Sequence, residues 1–150
     1  MAGQPVSLLF SVPARGVARL ALRAFARRLQ TEVAGGRGFG CLISDDAELR
    51  RLNKRFRKQA HATDVLSFPS LDPAGDLGEI AISFDRAQAQ ASENGHGVVQ
   101  EICILMLHGV LHLLGMDHEL DEGRMARLEA RWRKKFELPV GLIERAKARP

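Results

Sequence analysis

The stretch VVQEICILMLHGVLHLL, residues 98–114, is apolar nearly all round a helical wheel. A helix at a protein surface keeps a polar face, so one without it is expected to be central and buried. No apolar run in the chain approaches the roughly 20 residues of a membrane span. The stretch is therefore read as the core helix of a folded domain, around which the other elements pack.

Outward from it, period-two and period-3.6 patterns mark those elements. VSLLFSV (6–12), FGCLIS (39–44), DVLSF (64–68) and EIAISF (79–84) read as strands, the third closed by Pro69. Residues 15–34 read as a helix with an apolar stripe of Val17, Leu20, Ala21, Ala24, Phe25 and Leu29, stopped by GGRG at 35–38. Residues 45–57 open on Asp45 with Glu48 three positions later, as in a capping box, and offer Leu49, Leu52 and Phe56 as a buried face. A short helix at 85–94 ends at Asn94-Gly95, and a last one at about 121–137 carries Met125, Leu128, Trp132 and Phe136 on one side. The order β-α-β-α-β-β-α-α-α predicts an α+β fold: a small mixed four-stranded sheet packed by helices around a central buried helix. No repeat or low-complexity linker divides the chain, so residues 1–150 are read as a single domain.

Composition is that of an ordinary globular protein, with 45% hydrophobic and 27% charged residues. The net charge of +4 favours a polyanionic partner. Cys41 and Cys103 each lie in an apolar run and outside any C-x-x-C pair, which reads as buried, reduced thiols in a cytoplasmic protein. The first residues, MAGQPVSLLFSVPARG, lack a basic leader and are broken by Pro13, a poor signal peptide. With aromatics at 5% and no Tyr, recognition of bases by stacking is not supported.

Residues 108–118, HGVLHLLGMDH, hold three of the five histidines. Positions four apart on a helix differ by only about 40°, so His108 and His112 share a face. Gly115 can take the left-handed conformation that ends a helix and turn the chain back, bringing His118 towards them. Three converging imidazoles fit a catalytic-type site for one Zn²⁺ per chain, with a fourth position open for water. Asp117 is either the carboxylate that orients an imidazole or a solvated turn residue. The spacing H-x-x-x-H-x-x-G-x-x-H is also that of metzincin proteases, in which a Glu general base follows the first histidine. Here that position is Gly109, which argues against peptide hydrolysis by that route.

The cluster resembles the signature of the YbeY family, metal-dependent endoribonucleases of bacterial ribosomal RNA maturation. LNKRFRKQAHATDVLSFP (52–69) is similar to the family's Asn, aromatic-Arg and Thr-Asp-Val-Leu-Ser-Phe segment, and GEIAIS (78–83) to its Gly-acidic-Ile strand. Phe56, Ala62, Glu79 and Met116 depart from the commoner Tyr, Pro, Asp and Tyr. The resemblance implies a metal, zinc by preference, on His108, His112 and His118, and an RNA cleft lined by Arg57. It implies a single-strand-selective endoribonuclease of 16S ribosomal RNA maturation and ribosome quality control, with precursor RNA and the ribosome as partners, no membrane and no organic cofactor; the oligomeric state is left open.

Arg57 also has a case of its own. It ends a helix bearing Arg50, Arg51, Lys54, Arg55 and Lys58, a run that reads for most of its members as a solvated helix face, and a guanidinium can grip a phosphate through two parallel hydrogen bonds. His61 reads as a solvated loop histidine, and His96 has no assigned role. The competing functions are a metallopeptidase-like hydrolase and a non-catalytic ribosome-binding module with a structural metal, which would take a fourth protein ligand.

Overall fold

Four short strands alternate side chains across a sheet whose two faces hold different cores. The computed structural model describes residues 5–14, 17–57, 63–72, 74–117 and 121–148, without the side chains of Arg57 and of residues 146–148. His118, His61, Lys58 and Ala62 lie outside the described residues, as does the Arg57 side chain.

The elements are β1 (Ser7–Phe10), α1 (Arg19–Arg28), which runs on as a π-helical turn over Leu29–Val33, β2 (Gly40–Ser44) and α2 (Asp46–Arg57). They continue with β3 (Val65–Pro69), β4 (Gly78–Ser83), α3 (Phe84–Asn94), α4 (Val98–Leu113), α5 (Arg124–Lys135) and α6 (Leu142–Ala148). The sheet order is β1-β2-β4-β3; β1, β2 and β4 are parallel and β3 is antiparallel to β4. The expected mixed α+β fold is therefore present.

On one face, Leu8, Cys41, Ile43, Ile80 and Ile82 join the main core with α4 and α1. On the other, Ala81 and Leu66 meet Leu49 of α2 in a smaller core. Every residue of α4 from Glu101 to Leu111 is buried, as its apolar circumference requires. Gly109 sets how closely α4 can approach the sheet: a Cβ there would lie 3.0–3.3 Å from three side-chain carbons of Ile80. Ser67 of β3 donates to the Gly109 carbonyl at 3.1 Å and fastens helix to strand. Asp45 accepts the Glu48 N–H at 2.8 Å, the cap expected for α2. Gly95 ends α3 at φ 71°, as Asn-Gly implied.

Two expectations fail, and one element has no counterpart in the sequence reading. In α1 the buried stripe is Leu22, Phe25, Ala26 and Leu29; Leu20 is 83% exposed, and Ala21 and Ala24 are exposed too. Two apolar stripes sharing Phe25 and Leu29 compete on this helix, and the one holding Leu22 and Ala26 turns inward, with the Phe25 ring edge-on to Phe136 at 5.2 Å. In α2 Leu49 is buried, but Phe56 is 57% exposed and sits edge-on to Phe68 of the edge strand β3, 5.5 Å away. The core under α2 is narrow and is filled by the first turns of the helix. Finally, α6 was not expected, because seven residues are too few for a periodic pattern to emerge.

Candidate metal centre

α4 ends where its sequence said it would. Gly115 adopts φ 93°, its N–H bonds to the His112 carbonyl, and the Met116 N–H returns to Leu111. This turn brings the Met116 carbonyl back to the His112 ring, whose Nδ1 lies 2.8 Å from it. One turn earlier, His108 Nδ1 lies 2.6 Å from Oε2 of Glu129, supplied by α5. The two ring centroids are 4.7 Å apart and their Nε2 atoms 3.1 Å apart.

The partners decide the tautomers. A backbone carbonyl and a carboxylate accept hydrogen bonds, so each Nδ1 carries the proton and donates it. A neutral imidazole protonated at Nδ1 presents a lone pair at Nε2, and here two such lone pairs face each other inside hydrogen-bonding distance. While both rings are neutral, neither donates to the other. A cation bound by both removes the repulsion. Two bonds of about 2.0–2.1 Å at a tetrahedral angle would separate the nitrogens by about 3.3 Å, close to the spacing present. The histidine pair therefore fits a zinc-type ion. Among the described residues no group of three possible ligands assembles; His118 lies outside them.

Both rings are oriented from behind. Glu129, 1% exposed, accepts from His108 with one oxygen and from the Ile143 N–H with the other, at 3.1 Å. A carboxylate behind a ligating imidazole fixes its rotation and raises its basicity. Asp117 is exposed, and the carboxylate that meets His108 is Glu129. Sequence reading missed Glu129 although a signal was present: it interrupts the buried side of α5, four residues after Met125 and seven before Phe136.

The profile of the family described as Endoribonuclease YbeY matches residues 12–137. This chain belongs to that family. An Endoribonuclease YbeY from Solibacter usitatus is 65% identical over 130 residues, 87% of each chain. One from Koribacter versatilis is 50% identical over 131 residues, 87% of this chain and 85% of the relative. The fold is similar to the solution structure of TM1509 from Thermotoga maritima, with a TM-score of 0.61 and 25% identity over 85% of this chain and 86% of that one.

The structure explains the YbeY-like segment at 63–68 as a clamp. Asp64 accepts from Gln90 of α3 at 2.8 Å, Leu66 enters the core under α2, and Ser67 holds Gly109. Arg57 is the last residue of α2, on which Arg50, Arg51, Lys54 and Arg55 are exposed. Burial pushes the Cys41 and Cys103 thiols up to about 12, and both cysteines are free. Glu79, on the sheet face opposite α4, has its carboxyl raised above the usual range by desolvation and then by Asp76.

Proposed function

We propose that this protein is a metal-dependent, single-strand-selective endoribonuclease of the cytoplasm, acting in 16S ribosomal RNA maturation and ribosome quality control through one domain spanning 1–150. Membership of an endoribonuclease family makes the chain an RNA-cleaving hydrolase. Precursor ribosomal RNA and the ribosome are its proposed partners. Among the described residues no single helix is long and apolar enough to cross a membrane.

The observation that carries the metal reading is the pair of Nδ1-donating imidazoles whose Nε2 atoms face each other at 3.1 Å. His108, His112 and His118 would hold one zinc ion. Bound there, zinc would supply Lewis acidity to a phosphate oxygen and lower the pKa of a water molecule. Glu129 and the Met116 carbonyl hold the two rings in the ligating tautomer. Arg57, with the basic face of α2 behind it, would grip the scissile phosphate and offset the extra negative charge of the transition state. Gly109 disfavours the peptidase alternative, because a side chain at that position would run into Ile80 of the sheet.

Zinc-loaded and chelator-stripped protein should be incubated with single-stranded RNA, duplex RNA and casein. Cleavage of single strands by the loaded protein alone is the expected result. Equal cleavage by the stripped protein refutes metal dependence, and casein hydrolysis would favour the peptidase. Cells lacking the protein should accumulate 16S precursor.

A further inference from the structure

The short C-terminal helix α6 lies beyond residues 12–137 that match the family, yet it reaches the histidine site through one carboxylate. Glu129 accepts from two N–H groups on opposite sides, His108 Nδ1–H with Oε2 and Ile143 N–H with Oε1. Both oxygens are therefore committed, and a carboxylate held at both ends cannot rotate away from the ring. The entry to α6 is pressed against it: a Cβ on Gly141 would lie 2.5 Å from Oε1, 3.1 Å from Cδ and 3.2 Å from Cγ of Glu129. Three further contacts seat α6. Arg145 makes two bonds, of 3.2 and 3.0 Å, to the fully buried Glu101 of α4, which also pairs with His96 at 2.7 Å. Arg133 of α5 bonds Glu144 at 2.9 Å, and Ile143 is buried in the main core.

We propose that α6 is a working part of the metal site: its docking positions Glu129, Glu129 positions His108, and metal affinity depends on the helix. The inference rests on the metal reading above, with Glu129 as a positioning residue. Coupling of this kind is reciprocal, so metal must protect α6 from opening by the same factor that α6 tightens metal.

The test uses the full chain. Hydrogen exchange of the 141–148 amides is measured with and without zinc, and zinc affinity is measured by competition with a chromophoric chelator for the parent, Gly141→Ala and Glu129→Gln. Gly141 has a backbone conformation open to any residue, so alanine there disturbs the carboxylate rather than the chain. A glutamine at 129 has one acceptor and cannot serve both N–H groups. The expected results are slower α6 exchange on zinc loading and a loss of affinity of about tenfold or more in each variant. Exchange of α6 that zinc leaves unchanged overturns the proposal whether or not the variants fold. So does a folded Gly141→Ala variant that binds zinc within twofold of the parent. A parent that takes up no metal removes the metal reading and this inference together.

Discussion

Gly109→Ala is a sensitive probe of how α4 meets the sheet. Two opposing terms decide its effect. Alanine gains about 0.8–1.0 kcal/mol of helix propensity over glycine. The new methyl would sit 3.0, 3.1 and 3.3 Å from Ile80 Cγ2, Cδ1 and Cγ1, and overpacking of this kind costs about 1–3 kcal/mol. All three facing atoms belong to a fully buried side chain in the middle of a strand, so neighbours on every side resist the shift. The net expectation is destabilisation of about 1 kcal/mol, or about 2–4 °C in Tm for a chain of this size. The assay is urea unfolding of the parent, Gly109→Ala, Ile80→Ala and the double variant. Ile80→Ala removes all three clashing atoms, so the double variant should be about 1–2 kcal/mol more stable than the two single losses predict. A Gly109→Ala protein stabilised by the full propensity gain, with strictly additive losses in the cycle, would refute the close approach. Gly109→Glu, which restores the protease-like motif, should lose several kcal/mol by forcing a carboxylate against the sheet, and should gain no activity on casein.

His112→Ala should lose both bound zinc, read by elemental analysis, and cleavage of single-stranded RNA. Arg57→Ala should slow that cleavage while zinc stoichiometry stays at the parent value; cleavage at the parent rate would remove Arg57 from the mechanism. The buried thiols titrate at about 12 when folded against an ordinary value of 9.0, so above pH 9 the unfolded chain sheds protons that the folded one keeps. Their contribution to stability is complete below pH 9 and drains away between pH 9 and about 12, which urea midpoints across that range will show as a steeper fall than in a Cys41→Ala, Cys103→Ala variant. Neither thiol should react with a thiol reagent at pH 8 until the protein unfolds.

Much of the fold could be read directly from the chain because its signals are local. An all-apolar run has only the interior to go to, and 98–114 is the buried helix α4. Residues four apart share a helix face wherever that helix lies, so His108 and His112 meet. A glycine after the last apolar residues turns the chain, and Gly115 does so at positive φ. The positions of the strands along the chain and the cap at Asp45 follow from patterns a few residues long.

What the sequence left undecided depends on which surface an element finds opposite itself. The apolar residues of α1 allow two inward faces that share Phe25, and packing against distant segments, with Phe136 more than a hundred residues away among them, buries the one with Leu22 and Ala26. Phe56 belongs to a helical stripe but faces solvent, because the core below α2 ends before it. Glu129 is one acidic residue in a helix of charges until the fold sets it between His108 and Ile143. The absence of a side chain at Gly109 gains its meaning only from Ile80 beneath it. Periodicity and capping act over single turns and are written in the chain, whereas the partner of a buried polar group is chosen by packing between distant segments.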